Sequence, residues 1–351
     1  MDITEASGAS SSGSNPDGRT NHPAHIPSLC IFIKNMSEII LITGPTATGK
    51  TLIADKLCHL LDGKAEIISA DSRQVYKYLK VGTNLTPTET PQHLVSFIEP
   101  DIFYSAQNFA EDAQLIIKQL FNSKKIPVIA GGTGLYIKAV MEGGLMPLPE
   151  ADPEIRNRLN KFTTEELYLR LKKVDPLSAE KNRANPQRLK RAIEIYEITG
   201  SPMSEIILNH KKKLPGIAFD KEQPRFISFG LFYSDKNFYR KVISERADKM
   251  VSNSGGRENI IEEARKVTTE LGYKRSSPAL SAIGYREVFD YIDGKITFNT
   301  LKEKIISATV KYAKRQMTWF RHQTPPQRWI DVSEYHDFDA DKIAKRILEN
   351  F

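Results

Sequence analysis

The chain has 351 residues, of which 40% are hydrophobic and 26% charged, enough for a sizeable core in one large or two modest domains. The formal net charge of +7 favours an anionic partner, although many soluble proteins are equally basic. No stretch approaches the roughly 18 apolar residues of a membrane span, and Cys30 and Cys58 do not have the spacing of metal ligands. Composition therefore excludes a membrane-spanning protein and favours an intracellular one without disulfides or structural zinc.

The first 36 residues are rich in Ser, Gly, Asn and Pro and have too few apolar side chains to bury a core. They lack the basic start and apolar middle of a signal peptide and the many arginines of a transit peptide. We expect residues 1–36 to form a disordered tail. Because Met36 lies just before the first apolar run, translation from Met36 instead of Met1 is an open alternative.

A phosphate-binding loop lies between the first predicted strand, Ile39–Thr43, and the helix that follows it. The loop has the pattern G-x-x-x-x-G-K-[ST] and consists of Gly44, Pro45, Thr46, Ala47, Thr48, Gly49, Lys50 and Thr51. Its backbone amides, the helix N-terminus and Lys50 favour a phosphate or pyrophosphate, and the Thr51 hydroxyl suits Mg²⁺. Taken alone, the loop is typical of an ATP site and does not say whether a phosphoryl group is transferred.

Strands and helices alternate after this loop. The predicted elements are a strand over Ala65–Asp71, a loop-rich stretch over 84–104, a helix over Ala106–Asn122, a strand over Lys125–Ala130 and a turn at Gly131–Gly134. This order predicts an open parallel sheet, with its site where the strands end. Lys50, Asp71 and Thr133 should meet there, where Asp71 could act as a general base, hold Mg²⁺ through water, or only cap a helix.

The rest of the chain divides into an inserted part and a second part of the core. Residues 150–222 are Leu-, Glu-, Arg- and Lys-rich at helical spacing and predict a helical insertion. Beyond it we expect strands over Ile227–Phe232 and Arg328–Val332, helices over 236–252, 258–271, 280–292 and 298–321, and a terminal helix. The expected fold is therefore α/β, a P-loop NTPase-like parallel sheet core formed by residues 37–149 and 223–351, with a helical insertion domain.

Six blocks of sequence occur in one order with regular spacing: ISADSRQVYKYL followed by GT, QHL at 92–94, IPVIAGGTGLYIKA, NPQRLKRAIEIYEITG, AIGYREVFDYIDG and YAKRQMTWFR. Together they resemble the tRNA dimethylallyltransferase (tRNA isopentenylpyrophosphate transferase) family from about Ile39 to about Val332. The resemblance implies transfer of the dimethylallyl group of dimethylallyl pyrophosphate to the exocyclic N6 amine of the adenosine adjacent to the anticodon. It also implies that the loop binds the leaving pyrophosphate with Lys50 and Mg²⁺, and that Asp71 and Thr133 act at the amine.

The resemblance further implies a set of tRNA-binding residues. They are Asp71, Ser72, Arg73, Gln74, Thr133, Arg156, Gln187, Arg188, Leu189, Lys190, Arg191, Ser281, Ala282, Ile283, Gly284, Tyr285 and Arg286. Lys314, Arg315 and Arg321 place further cations on the last long helix, where Trp319 is equally well explained as a core residue. For Lys211–Lys213 we prefer a solvated helix face. The expected protein is a cytoplasmic monomer that binds tRNA and dimethylallyl pyrophosphate and no membrane.

The chain departs from the family pattern at several positions. Val242 stands where an arginine faces the pyrophosphate in the family, and Arg240 and Lys241 are the candidates to replace that charge. Residues 84–87 lack a usual lysine, Val310 replaces a usual arginine, and Ser252–Glu258 resembles a short insertion. Three alternatives stay open: an adenylate isopentenyltransferase that makes free cytokinins, a small-molecule P-loop kinase, and an RNA-binding protein without activity.

Overall fold

The computed structural model describes residues 38–145, 148–211, 224–252, 258–335 and 338–350. Several expectations fall outside these ranges: the disordered tail with Cys30 and Met36, the boundary near residue 222, Lys212–Lys213 and most of the insertion at Ser252–Glu258.

Six parallel strands form one sheet in the order β3-β2-β4-β1-β5-β6. They are β1 (Glu38–Thr43), β2 (Ala65–Ser69), β3 (Gln92–His93), β4 (Ile126–Gly131), β5 (Arg225–Phe232) and β6 (Arg328–Asp331). Five were predicted to within two residues. The edge strand β3 was not, because it has only two residues and lies in the stretch predicted as a loop.

Thirteen helices are described. They are α1 (Lys50–Leu60), α2 (Ala106–Asn122), α3 (Gly134–Met141), α4 (Pro153–Leu159), α5 (Thr164–Val174), α6 (Pro176–Asn182), α7 (Pro186–Thr199), α8 (Met203–Lys211), α9 (Lys236–Val251), α10 (Ile260–Arg265), α11 (Tyr285–Ile292), α12 (Phe298–His322) and α13 (Ala340–Glu349). Two predicted helices are interrupted. A π-helical turn, Lys266–Glu270, follows α10, and Gly284, with φ 104°, separates the 3₁₀ turn Pro278–Ser281 from α11.

The central strands are buried because helices cover both faces of the parallel sheet. Every residue of β2 and β4 is buried, and Ile39, Leu41, Ile68 and Ile129 belong to the main apolar cluster. β1 pairs with β4 on one side and β5 on the other, with Thr43 opposite both Gly131 and Gly230. The loops that leave β1, β2 and β4 therefore lie side by side at one edge of the sheet.

The helices between α3 and β5 have their own apolar cluster, which includes Leu159, Leu167, Leu171 and Leu189. Each of the helices α4 to α7 starts at a side chain that accepts a backbone hydrogen bond: Asp152, Thr163, Asp175 and Asn185. Such caps satisfy amides that a helix leaves unpaired in its first turn. Within the described ranges this stretch contains no strand, and no described helix has the length and apolarity needed to cross a bilayer.

Candidate active site

The backbone of the phosphate loop has positive φ angles at three residues, two of which are glycines. Gly44, at φ 145°, lies so close to β5 that an added Cβ would be 2.6 Å from the Leu231 carbonyl oxygen. Gly49 begins α1 at φ 73°, and Ala47 also has a positive φ of 63°. The Thr48 hydroxyl donates to the Pro45 carbonyl at 2.9 Å, which closes the turn.

The Lys50 ammonium group is folded back onto this loop. Its Nζ donates to the Pro45 carbonyl at 2.6 Å. Burial lowers the pKa of Lys50 to about 7, with Asp71 opposing the shift and Arg246 adding to it. An anion bound in the loop would stabilise the charged form of this lysine.

Three side chains from distant parts of the chain hold Thr46, inside the loop. Its amide donates to Oε1 of Gln316 at 2.8 Å, and its carbonyl accepts from the Tyr239 hydroxyl at 2.6 Å. Arg246 donates to its hydroxyl at 2.5 Å. Sequence reasoning missed Tyr239 and Gln316, because nothing in their local sequence indicates which loop they contact.

Asp71 and Thr133 lie at neighbouring strand ends, as predicted. Asp71 Oδ1 accepts from the Arg73 amide at 2.8 Å and the Gln74 amide at 3.4 Å, so the carboxylate also caps the turn after β2. The Ser72 amide donates to the Thr133 hydroxyl at 2.9 Å, which joins the loops that follow β2 and β4. The capping role and a catalytic role are thus compatible.

Two further predicted residues build the walls of this site. The buried Gln74 accepts from the Ser69 hydroxyl at 3.0 Å and donates to the carbonyls of Thr83 and Asn84 at 3.4 Å. The Arg73 guanidinium donates at 2.9 Å to the Pro278 carbonyl and also to the Ser281 hydroxyl. Arg73 therefore brings the Ser281–Arg286 block to the site.

Two cavities meet at these residues. We call the first, of about 600 Å³, the phosphate cavity; it is lined by the phosphate loop, Thr51, Leu52 and one side of α9. The second cavity, of about 290 Å³, is lined by Ser72, Arg73, Ser281, Ala282, Ile283, Thr309, Tyr312 and Arg315. Thr46, Asp71, Thr83 and Arg246 line both, so a reaction at their junction can be reached from two sides.

Val242 lines the phosphate cavity, as its place in the sequence pattern predicted. Arg246, Lys241 and Lys249 line it too, whereas Arg240 is exposed and is not part of the lining. Between the two candidates for the missing charge, the geometry therefore favours Lys241. Burial lowers the pKa of Arg246, and Asp71 opposes that shift.

The predicted RNA-contacting residues of α4 and α7 fall into two groups. Gln187 and Arg188 are exposed at the start of α7. Arg156 and Arg191 instead bind Glu194, which is 1% exposed: Arg156 donates to both carboxylate oxygens, at 2.8 and 3.2 Å, and Arg191 to one at 2.6 Å. Leu189 is fully buried in the cluster of these helices, so its side chain cannot face RNA.

The neighbouring residue Lys190 donates to Asn160 at 2.7 Å. Lys190 is therefore partly exposed on α7, with one of its hydrogen bonds already made within the protein.

The second predicted block is similarly mixed. Ser281 and Arg286 are exposed, and Ala282 and Ile283 line the second cavity, but Tyr285 is fully buried. The Tyr285 hydroxyl donates at 2.5 Å to Glu263, which also accepts from the Val81 and Gly82 amides. Burial raises the pKa of Glu263 despite these bonds. Tyr285 and Gly284 are thus buried residues that support the fold of this block, and they are not part of its exposed surface.

Helix α12 presents Lys314, Arg315 and Arg321 to solvent. Trp319 on the same helix packs against the main apolar cluster, and its indole lies where a Cβ at Gly134 would be. Its Nε1 is buried, with no hydrogen-bond partner in the described part of the chain. The core explanation of Trp319 therefore holds.

Among the described residues, no group of three or more His, Cys, Asp or Glu side chains could hold a metal ion. Mg²⁺ seldom needs such a group, because it usually keeps waters and binds substrate phosphates with one or two protein oxygens. The Thr51 hydroxyl and the Asp71 carboxylate line the phosphate cavity and are donors of the right kind.

Comparison with known proteins identifies the family. The profile described as IPP transferase matches residues 74–323. Among curated relatives, a tRNA dimethylallyltransferase of Endomicrobium trichonymphae is 40% identical over 296 residues, covering 82% of this chain and 92% of that protein. One from Thermoanaerobacter sp. (strain X514) is 36% identical over 322 residues, covering 89% and 96%.

Solved structures agree with this assignment. The tRNA isopentenylpyrophosphate transferase of Bacillus halodurans superposes with a TM-score of 0.58 at 29% identity, covering 89% of this chain and 97% of that one. A eukaryotic dimethylallyltransferase acting on tRNA shares the fold, with a TM-score of 0.69 at 22% identity over 89% and 78% of the two chains. The chain belongs to the IPP transferase family, and the two curated relatives described above are tRNA dimethylallyltransferases.

Proposed function

We propose that this protein transfers the dimethylallyl group of dimethylallyl pyrophosphate to the N6 amine of the adenosine adjacent to the anticodon of tRNA. The observation that carries the proposal is the pair of cavities that meet at Asp71 and Thr46. One is lined by the phosphate loop and several cations, and the other opens between Arg73, Arg315 and the Ser281 block. A small anionic donor and a large acceptor can therefore approach one point from different sides.

The donor loses its pyrophosphate when the allylic C–O bond breaks and the bonding electrons stay on oxygen. Lys50 and the loop amides stabilise the negative charge that develops there. The amine nitrogen of adenine forms the new C–N bond and loses one proton, which passes to the Asp71 carboxylate. The Thr133 hydroxyl, fixed by the Ser72 amide, orients the amine.

Mg²⁺ is the cofactor of this proposal. Thr51 would hold it, with Asp71 available through water, and it would supply further charge stabilisation to the leaving pyrophosphate. The alignment of the two substrates rests on the protein side chains described above.

The acceptor has to expose its base. A base stacked in the anticodon loop cannot enter a cavity of about 290 Å³, so the target adenosine leaves the stack to reach Asp71. The cations of α12 and α7 would bind the surrounding phosphates, which position the RNA without reading its sequence.

The test is direct. Purified protein, Mg²⁺, dimethylallyl pyrophosphate and unmodified tRNA should yield a prenylated adenosine in nuclease digests analysed by mass spectrometry. Prenylation of free AMP but not tRNA would instead indicate an adenylate isopentenyltransferase. ATP-dependent phosphoryl transfer without any allylic donor would indicate a kinase, and tight tRNA binding without product an inactive RNA-binding protein.

The proposal includes a cytoplasmic protein that acts as a monomer. Both cavities are lined by residues of a single chain, which supports a monomer. Light scattering of the protein alone and with tRNA tests the monomer, and fractionation of cells that express it tests the location.

A further inference from the structure

Gln316 joins the two loops between which the reaction is proposed to occur. Its side chain, 6% exposed, accepts a hydrogen bond from the Thr46 amide at 2.8 Å and donates one to the Gly132 carbonyl at 2.8 Å. Thr46 belongs to the phosphate loop, and Gly132 precedes Thr133. An amide is the side-chain group that offers both an acceptor and a donor at this length.

The local structure makes room for this contact. A Cβ at Gly132 would collide with the Gln316 amide and would lie 3.3 Å from the Gly44 carbonyl. The two other polar groups of Thr46 are held by Tyr239 and Arg246 of α9. The third polar group of Thr46, its amide, is held by Gln316.

The helix that carries Gln316 also borders the acceptor side. Thr309, Tyr312 and Arg315 of α12 line the second cavity, whereas Gln316 lines the phosphate cavity. Because α12 is one continuous helix, a shift of its cationic face would move Gln316 with it.

We propose that Gln316 is a positioning residue that sets the distance between the leaving pyrophosphate and the accepting amine by holding the phosphate loop against the Gly132–Thr133 loop. This inference rests on the proposed transferase function. The amide oxygen and nitrogen of Gln316 are engaged with Thr46 and Gly132, so it acts through the loop backbone, which must already be in place when the C–O bond breaks.

The test compares Gln316→Met with Thr318→Ala. Methionine has a similar length but forms neither strong hydrogen bond, and Thr318 is an exposed α12 residue whose hydroxyl donates to the Lys314 carbonyl of its own helix. For Gln316→Met we expect kcat to fall and the Kd for inorganic pyrophosphate to rise, each by about tenfold or more. The Kd for tRNA should stay within about twofold, because the exposed cations of α12 are untouched. Thr318→Ala should match the wild type throughout.

Two results would overturn the proposal. One is wild-type kcat and wild-type pyrophosphate affinity in Gln316→Met. The other is a fall in tRNA affinity as large as the fall in pyrophosphate affinity, together with a lower melting temperature, which would indicate a merely structural role. If Gln316→Met does not fold, Gln316→Asn replaces it, since its shorter side chain cannot span both loops. Failure of the wild type to prenylate tRNA would refute the proposed function, while the pyrophosphate titration would still decide the role of Gln316 in the loop.

Discussion

Burial lowers the pKa of Lys50, in the phosphate loop, to about 7, so this lysine loses its proton at a lower pH than an exposed one. A bound pyrophosphate favours the charged form, so binding above about pH 7 requires uptake of a proton. We therefore expect the Kd for inorganic pyrophosphate to rise with pH above 7, by up to about tenfold per unit. Isothermal titration calorimetry in buffers of different ionisation enthalpy would measure both the affinity and the protons taken up.

Lys50→Arg is the control for this prediction. Arginine keeps its charge, so between about pH 7 and about pH 9 its affinity for pyrophosphate should change less than that of the wild type. The ionisation of pyrophosphate is common to both proteins. Equal slopes in the two would show that Lys50 is already charged in the free protein.

The Asp71 carboxylate caps a turn and is proposed to accept the proton of the amine, and a substitution can separate these two roles. In Asp71→Asn the amide oxygen could still accept from the Arg73 and Gln74 amides, but the side chain could not take a proton. For this variant we expect kcat to fall by about a hundredfold or more, with tRNA affinity and melting temperature close to those of the wild type. Asp71→Ala should lose the same activity and also some stability, since the turn loses its cap. A wild-type rate in Asp71→Asn would remove Asp71 as the base.

At the scale of elements, Glu194 ties α7 to α4. It accepts from Arg156, Arg191 and the Asp152 amide. Glu194→Gln should lower the free energy of unfolding by about 2 kcal/mol, less than for a fully buried pair because both guanidinium groups are partly exposed. Urea denaturation followed by circular dichroism would measure it.

This contribution should depend on pH. Burial favours the neutral acid, but the bonds from Arg156, Arg191 and the Asp152 amide outweigh it and lower the pKa of Glu194 below 4.5. A carboxylate with a lowered pKa stabilises the fold above its unfolded pKa and loses that effect as the pH falls through the folded value. The difference between wild type and Glu194→Gln should therefore be constant above pH 4.5 and shrink below it.

Arg188 lies on the same helix but is exposed and should behave in the opposite way. Arg188→Ala should leave the melting temperature unchanged, weaken tRNA binding and reduce the slope of log K against log salt by about one. Filter binding at several salt concentrations tests this. A change only in pyrophosphate affinity would show that α7 does not face the RNA.

The elements with strong local signals were predictable from sequence. Apolar runs located β1, β4 and β5, and the glycines located the phosphate loop. β3 was missed because two residues carry no periodicity, and α11 begins later than predicted because Gly284 adopts a φ of 104° that breaks the run. The periodicity of apolar residues therefore indicated neither β3 nor the start of α11.

For the molecule as a whole, the two cavities predict that one set of lining residues binds pyrophosphate and the other set binds tRNA. Ile283→Trp should fill the second cavity, abolish transfer to tRNA and leave the Kd for pyrophosphate unchanged. Leu52→Trp, at a residue 38% exposed beside Thr51, should raise the Kd for pyrophosphate and leave tRNA binding unchanged. Calorimetry and filter binding on both variants measure the four affinities, and loss of pyrophosphate binding in Ile283→Trp would contradict the separation.

The residues of the site that directly follow predicted strands could be predicted from the sequence, and those on distant helices could not. Lys50, Asp71 and Thr133 follow strands whose order can be inferred, so their meeting was foreseeable. Tyr239 and Gln316 act from helices whose rotation depends on tertiary packing, which a single sequence does not reveal. For the same reason the sequence pattern did not separate Arg188, at the surface, from Leu189 in the core.

The three side chains that bind Thr46 also affect how the phosphate loop forms during synthesis on the ribosome. Tyr239, Arg246 and Gln316 follow Thr46 by 193, 200 and 270 residues. A ribosome therefore makes the phosphate loop early and its last support near the end of synthesis, and such long-range closures are slow. Nascent chains that stop before α12 should present the whole loop sequence yet bind pyrophosphate poorly, so the newly made enzyme stays idle until its final helices emerge.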